Sequence, residues 1–274
     1  MREELASFMA ENKIEYYAAL SAADVRIIRP HILERSRIEP RSLIIYLIPY
    51  FVTHGKNLSS YATSLDYHIF ISSFNSSLLR RLSELRPGSA GAGFGDISPI
   101  DERLAAARAG LGMLGRNGLL INKKYGSYIF IGEVLTDIPP EELGPSQTSE
   151  PKKCENCGAC LSACPTGVLS GKGNTCLSAV TQRKGELTDA EKDLMIKCGS
   201  AWGCDICQDV CPHNLKAVKS GAISPIPFFQ SCRVTELTRD AVEQMSDDEF
   251  SRRAFAWKGR AVVYRNIDIL SGKS

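Results

Sequence analysis

The residues best suited to chemistry in this 274-residue chain are its ten cysteines, all of which fall between Cys154 and Cys232. The first group reads Cys154-Glu-Asn-Cys157-Gly-Ala-Cys160-Leu-Ser-Ala-Cys164-Pro165, and the second Cys204-Asp-Ile-Cys207-Gln-Asp-Val-Cys211-Pro212. C-x2-C-x2-C-x3-C-P is the bacterial two-cluster ferredoxin run, in which three close thiolates hold one [4Fe–4S] cubane and the fourth reaches the other. Such tight spacing wraps the backbone around a cluster, and the proline turns the chain away without needing a donor. Cluster one then takes Cys154, Cys157, Cys160 and Cys211; cluster two takes Cys164, Cys204, Cys207 and one more. The second half-motif lacks its first cysteine, so the eighth ligand is Cys176 or Cys198, and spacing does not choose between them. Zinc ribbons use separated C-x2-C pairs and do not explain this run. Cys232 and the spare member of the 176/198 pair read as small buried residues rather than reactive thiols.

Two neighbouring clusters conduct single electrons, and a ferredoxin alone would leave the cysteine-free N-terminal half without a task. That half should hold whatever receives the electrons. Its candidate groups are Asp66-Tyr67-His68 and the stretch Asp96-Ile-Ser-Pro-Ile-Asp-Glu102-Arg103. Taken alone, Asp96 reads as a helix-entry aspartate and Asp66-Tyr67-His68 as a helix start with half-buried rings. Glu102 and Arg103 read equally as an ion pair fixing a helix or as reacting groups. Gly110, Gly112 and Gly115 suit helix-end turns as well as close approach to a ligand.

Composition narrows the setting. Hydrophobic residues make up 43% and charged residues 23%, with Lys+Arg 33 against Asp+Glu 31 for a net charge of +2. That balance does not advertise nucleic-acid binding, and the run Arg252, Arg253, Lys258, Arg260, Arg265 reads as a solvated helical face. The opening MREELASFMAENKIEYY lacks the apolar stretch of a signal peptide, and no segment has the length of a membrane span. A cytoplasmic location, without membrane association, is therefore expected, and there the cysteines serve metal ligation rather than disulfides.

The elements that must position these groups are legible in outline. Ser42–Tyr50 (SLIIYLIPY) predicts a buried strand, and Tyr67–Leu85 has helical periodicity. Gly88–Gly95 reads as a flexible segment delivering the chain to Asp96. A helix should begin at Ser98, with the Ser98 hydroxyl as its cap, Pro99 at the first position and Gly110 as its stop. Leu119–Asn122 and Ser127–Leu135 should be strands joined by a Lys-Lys-Tyr-Gly turn. Residues 138–151 have linker composition. Short helices are expected near Arg239–Met245 and Asp247–Ala256, the second with a Ser246/Glu249 capping box, and a last one through Val262–Leu270.

In combination these stretches resemble the epoxyqueuosine reductases, cobalamin-dependent iron–sulfur enzymes of tRNA modification. The resemblance rests on Ser59-Ser-Tyr-Ala-Thr-Ser-Leu-Asp66-Tyr67-His68; on Asp96–Arg103 with Gly110, Gly112 and Gly115-Arg116-Asn117; on Gly126–Asp137; and on the cysteine module with Thr175-Cys176, Lys184-Gly185 and Gly203–Asn214. It covers residue 42 to the end. The family pattern places a cluster ligand at Cys176, which selects it over Cys198. It implies an α+β fold: a nitroreductase-like sheet-and-helix domain (1–145), a ferredoxin-like double-cluster domain (150–216) and a helical tail (217–274) packing on the first domain. It also implies that cobalamin, reduced through the clusters, opens a substrate epoxide and leaves an alkene.

Asp96 is then the proton donor, a role that suits a carboxylic acid whose pKa burial has raised. Tyr67, His68, Asp96, Arg116 and Asn117 would line the cofactor site. His54 and His68 are not assigned as cobalt ligands. The implied partners are tRNA and a donor such as flavodoxin or ferredoxin, and the implied state is a monomer. Arg116 stands where the family usually has Lys, keeping the charge but changing the donor geometry. Many members also continue past the point where this chain stops, into an extension that helps to hold tRNA. Rival readings are a cobalamin and iron–sulfur reductase of a small molecule, akin to reductive dehalogenases, and a two-cluster electron carrier without catalysis of its own.

Overall fold

The computed structural model describes residues 1–144, 146 and 148–272. It forms an α+β chain of two compact units: Met1–Pro49 with His68–Asn156, and Tyr50–Tyr67 with Cys157 onward.

In the first unit the elements run α1 (Arg2–Glu11), β1 (Tyr17–Ser21), α2 (Pro30–Ser36), β2 (Ser42–Pro49), α3 (Tyr67–Leu85), β3 (Gly91–Gly95), α4 (Glu102–Arg108), β4 (Met113–Leu114), β5 (Leu120–Ile121), β6 (Ile129–Thr136) and α5 (Pro140–Leu143). An antiparallel sheet of order β1-β2-β6-β3 forms its centre, and β4 pairs with β5 in a second, two-stranded sheet. Every residue of β2 is buried, as an unbroken apolar run between two paired strands requires. The register sets Tyr46 opposite Gly132 and Ile45 opposite Glu133.

Helix α3 spans the residues its periodicity predicts and buries Ile71, Phe74, Leu78 and Leu82. The segment read as flexible is the edge strand β3. Its glycines serve packing: a Cβ at Gly91, Gly93 or Gly95 would meet Leu79, Asn75 or Ile71 of α3 within 3 Å. Asn75 accepts from the Tyr46 hydroxyl at 2.7 Å and donates to the Phe94 carbonyl, so α3 is pinned to both inner and edge strands.

The helix expected from Ser98 begins at Glu102, capped by Asp101 accepting from the Leu104 amide. Ser98 instead accepts from the Ile100 amide, a local turn that competes with helix. Residues 96–101 are held by the 26–29 segment through Arg29 to the Ser98 carbonyl, Ile28 and Arg29 amides to the Pro99 carbonyl, and the Asp101 amide to Arg26. Gly110 ends α4 at φ 75°, as expected. The strands expected at 119–122 and 127–135 both form, but their partners differ: β5 joins β4, and β6 lies between β2 and β3. Within the expected linker, α5 forms, and Ile138 and Leu143 are buried; Pro145 and Gln147 of that stretch lie outside the described residues.

The second unit contains α6 (Ala159–Ala163), α7 (Leu177–Thr181), α8 (Asp189–Cys198), α9 (Ile206–Asp209), α10 (Pro212–Lys219), α11 (Pro227–Gln230), α12 (Arg239–Glu243), α13 (Asp247–Ser251) and α14 (Arg260–Leu270). Its core groups Leu58 and Ala62 from the 50–67 excursion, Ala201 and Trp202, and Val242, Phe250, Phe255, Val263 and Ile267 from the tail. Leu58 pairs with Trp202 as an isolated parallel bridge. Buried Asn266 of α14 donates to the carbonyls of Thr181 and Ala201.

The basic run near the C-terminus is not simply a solvated face. Arg253 donates to the Cys232 carbonyl, Arg260 to those of Val242 and Met245, and Arg265 to those of Arg183 and Gly185. These guanidiniums close helix ends and loops. The expected Ser246/Glu249 box caps α13, and a second, Thr188/Glu191, caps α8. No helix of the described residues is long and apolar enough to cross a membrane.

Candidate functional site

The cysteines form no disulfides among the described residues and are carried on short helices and tight loops. Cys160 sits in α6 and Cys207 in α9, and these helices pack against each other. Asn156 and Gly158 adopt positive φ within the first cysteine loop, turning the backbone between ligands. Cys154 closes the first unit, its amide donating to the Leu114 carbonyl at 3.0 Å. Burial raises the Cys164 thiol, but hydrogen bonds from the Leu169 backbone, the Thr166 hydroxyl and the Thr166 and Gly167 backbone outweigh it and lower the pKa. Backbone N–H groups aimed at sulfur favour a thiolate.

Cys204 is pushed up to about 12, mainly by burial and further by the charges of Cys176 and Cys207. Like charges within reach of one another are what a thiolate set presents before iron compensates them. Cys176 is exposed at the start of α7, whereas Cys198 ends α8 and packs with Leu194 and Cys204 on the Leu177/Met195 cluster. Cys198 and Cys204 also line one cavity of ≈ 150 Å³. Cys232, expected to be buried, is exposed at φ 49°, because its carbonyl turns to meet Arg253.

Asp205 was missed by reading the sequence. It is buried, accepts from the Ser59 hydroxyl and from the Ser60 amide at 2.6 Å, and anchors the Cys204–Cys207 loop to the 50–67 excursion. Gln208 extends the anchor, accepting from the Tyr50 hydroxyl at 3.3 Å. The only signal was Asp205's position inside C-D-I-C, with a serine pair in another stretch.

In the first unit Asp96 follows β3 directly, at φ 66°, a conformation unusual for a non-glycine residue. Its Oδ2 lies 3.7 Å from His68 Nε2, so the structure brings together two of the expected residues. Burial, expected at Asp96, is not found there: its side chain is 60% exposed. Two acids near it are withdrawn from water, Glu133 wholly and Glu102 in part. Glu133 is 0% exposed in the middle of β6, and Glu102 begins α4. Alternation along β6 sets Glu133 on the face opposite Gly132, whose missing Cβ accommodates the Tyr46 ring.

Both Glu133 carboxyl oxygens and Glu102 Oε2 are buried without hydrogen-bond partners. Burial pushes Glu133 up to about 8, opposed by the nearby Ser98 hydroxyl and reinforced by Glu102. Burial pushes Glu102 up to about 7, with Asp96 adding to the shift and Arg103 and Arg29 opposing it. Arg103 is engaged elsewhere, donating to the Gly118 carbonyl at 2.6 Å.

Arg116 donates to the Asn156 side chain, and Asn117 accepts from the Leu119 amide, both in the β4–β5 turn. A Cβ at Gly112 or Gly115 would strike the Ile121 carbonyl or the Asn117 side chain, so packing within the turn already accounts for both glycines. Tyr67 opens α3 and meets Tyr61 edge-on at 6.4 Å.

Residues 153–214 match the family described as the 4Fe-4S double cluster binding domain. The epoxyqueuosine reductase of Gloeobacter violaceus is 34% identical over 225 residues, covering 77% of this chain and 69% of that protein. The chain belongs to the epoxyqueuosine reductase family. It spans about half the length of several other epoxyqueuosine reductases it matches, including those of Lactococcus garvieae and Leadbetterella byssophila. The fold is that of solved epoxyqueuosine reductases. The Streptococcus thermophilus structure gives a TM-score of 0.77 at 23% identity, covering 100% of this chain and 81% of that one. An epoxyqueuosine reductase solved with an epoxyqueuosine-modified tRNA-Tyr stem loop gives 0.74 at 21% identity, covering 99% and 81%. The sheet-and-helix unit and the cysteine-bearing segment are thus those of an epoxyqueuosine reductase.

Proposed function

We propose that this chain reduces epoxyqueuosine to queuosine in tRNA, with two [4Fe–4S] clusters and cobalamin as cofactors. Family membership supports the activity, and a tRNA stem loop is bound by a protein of the same fold. The observation that carries the reading is Asp96, held at the end of β3 beside His68, with buried Glu133 and half-buried Glu102 acting on one another and on it. The eight cluster ligands are Cys154, Cys157, Cys160, Cys164, Cys176, Cys204, Cys207 and Cys211.

The residues around Asp96 fit a large flat cofactor. His68 is 51% exposed, and Ile27, Ile28, Ile69 and Ile97 are exposed apolar side chains of the same unit. Ile69 and Ile97 adjoin His68 and Asp96 in sequence, and Ile27 bridges to Ile100. Apolar side chains left in water around two polar groups mark a binding face. His68, Asp96, Arg116 and Asn117, with Tyr67 at the head of α3, are the residues assigned to hold the corrin. When bound, reduced cobalamin supplies the nucleophile for the epoxide carbon, and the clusters carry single electrons to it.

The protein's own contribution is acid catalysis. Opening an epoxide leaves an alkoxide, and a carboxylic acid within reach protonates that oxygen as the C–O bond breaks. Asp96 is the donor, and His68 orients its carboxyl through Oδ2. The donor of electrons is a flavodoxin or ferredoxin, and the protein acts as a cytoplasmic monomer.

Nucleoside analysis of tRNA from an epoxyqueuosine-accumulating strain expressing this chain tests the reading. Conversion to queuosine is expected, and Asp96→Asn with fully loaded cofactors should lose roughly 10²–10⁴-fold in rate. Wild-type protein with loaded clusters and cobalamin that leaves epoxyqueuosine untouched would reject the proposal.

A further inference from the structure

Reduction of an epoxide to an alkene consumes two electrons and two protons. Both C–O bonds break, a carbon–carbon π bond forms, and the oxygen leaves as water. The electrons come from a low-potential one-electron donor through the clusters. Asp96 holds one proton at a time, so each turnover needs a second source.

The structure places two acids near Asp96 that the mechanism above does not use. Glu133 is completely buried, with neither carboxyl oxygen meeting a hydrogen-bond partner, and Glu102 Oε2 is buried in the same condition. A carboxylate there forfeits much of its hydration, offset at Glu133 only by the nearby Ser98 hydroxyl, so the neutral acid is the form the fold favours. Helix α4, which Glu102 opens, packs against β6, which carries Glu133. On the other side of β6, Glu133 is in register with Phe94, two residues before Asp96. Each carboxyl acts electrostatically on the next: Glu133 feels Glu102, and Glu102 feels Asp96.

Resting on the reductase reading, we propose that Glu133 and Glu102 form an internal proton reserve behind Asp96, which restores the proton that Asp96 gives up in each epoxide reduction. The proton passes from Glu102 to Asp96, and Glu133 refills Glu102. Both are positioning and supply residues, and neither touches substrate. The groups that face Glu102 are Asp96, Asp101, Arg103 and Arg29; those that act on Glu133 are Ser98 and Glu102, with Tyr46 across the sheet from it. Arg29 and Arg103 pull Glu102 toward ionisation, which keeps the nearer acid the easier of the two to deprotonate.

Raised folded values mean that the reserve is full below them and empties as pH climbs through about 7 to 8. Glu102→Gln and Glu133→Gln keep size and polarity while removing the exchangeable proton. Single-turnover conversion of epoxyqueuosine-containing stem loop by cofactor-loaded full-length protein should fall in wild type as pH rises through that window. Each variant should be roughly tenfold slower at neutral pH, less than the 10²–10⁴-fold of a general acid because neither residue touches substrate, and should lose that fall. Infrared difference spectroscopy on the same chain should show a carboxylic-acid carbonyl band at neutral pH, weakened in each variant and shifted in D2O. Wild-type rates and pH profiles in both variants, or carboxyls already ionised at neutral pH, would overturn the reserve. Because the infrared band is read without substrate, a chain that keeps its buried acids protonated yet fails to convert any epoxyqueuosine would count against the reductase reading instead.

Discussion

Cys176 and Cys198 differ in surroundings more than in distance along the chain. Cys176 stands exposed at the start of α7 and acts on Cys204 together with Cys207. Cys198 ends a capped helix, and its thiol is raised mainly by burial against apolar neighbours. A cluster ligand must reach iron as a thiolate, which the apolar surroundings of Cys198 oppose. Cys176→Ser should therefore lose about half the iron of the reconstituted protein, since each [4Fe–4S] cluster needs its fourth thiolate, whereas Cys198→Ser should keep all of it. Iron and sulfide analysis after anaerobic reconstitution reads the difference, and the reverse result would make Cys198 the ligand. The cysteine run was legible because coordination fixes spacing within a few residues. Asp205 was not, because its partners Ser59 and Ser60 lie 146 and 145 residues away. Glu133 was hidden for another reason: one acid in IFIGEVLT reads as the polar side of a strand, and only the fold shows α4 packed on β6 and residues 132–136 all buried.

Among the elements, the long ones followed their patterns, while the short strand β3 and the start of α4 did not. Helix α3 and strand β2 have enough residues for periodicity or an apolar run to decide them. Strand β3 is nearly all glycine and alanine, and its strand character comes from the close approach of α3, which a linear reading cannot see. The start of α4 turned on a choice between two good caps, Ser98 and Asp101. Ser98 loses because its hydroxyl is spent on the Ile100 amide and its carbonyl on Arg29. Asp101 thus sets both the first turn of α4 and the placement of Glu102 beside Asp96. Asp101→Ala should cost about 1 kcal/mol in urea unfolding, as the loss of an N-cap does, while Asp101→Asn should cost only a fraction of that. An Asn variant as damaged as the Ala variant would mean that the charge, rather than the cap, supports the helix.

At the scale of the whole molecule, the cysteine-bearing segment shares its core with stretches outside it. Trp202 has 0% exposure, and its neighbours come from three separated stretches: Leu58 and Ala62 before the sheet is complete, Ala201 beside it, and Val242, Phe255 and Val263 from the tail. The Leu58–Trp202 bridge and the Ser59 amide on the Trp202 carbonyl tie the excursion to the segment between the half-motifs. Asn266 ties α14 to the same place through the Thr181 and Ala201 carbonyls. Clustering of the cysteines marks out the segment 150–216, but it says nothing about which apolar side chains close the core. Trp202→Ala in the full chain should therefore destabilise the second unit by about 3–5 kcal/mol, the range for removing a large buried aromatic. A fragment limited to residues 150–216 exposes Trp202 and leaves Asp205 without Ser59, so it should hold its clusters far more weakly than the full chain under the same anaerobic reconstitution. Equal iron retention by fragment and full chain, followed by absorbance during challenge with an iron chelator, would show instead that the iron–sulfur bonds alone hold the segment, and that the excursion and tail serve some other end.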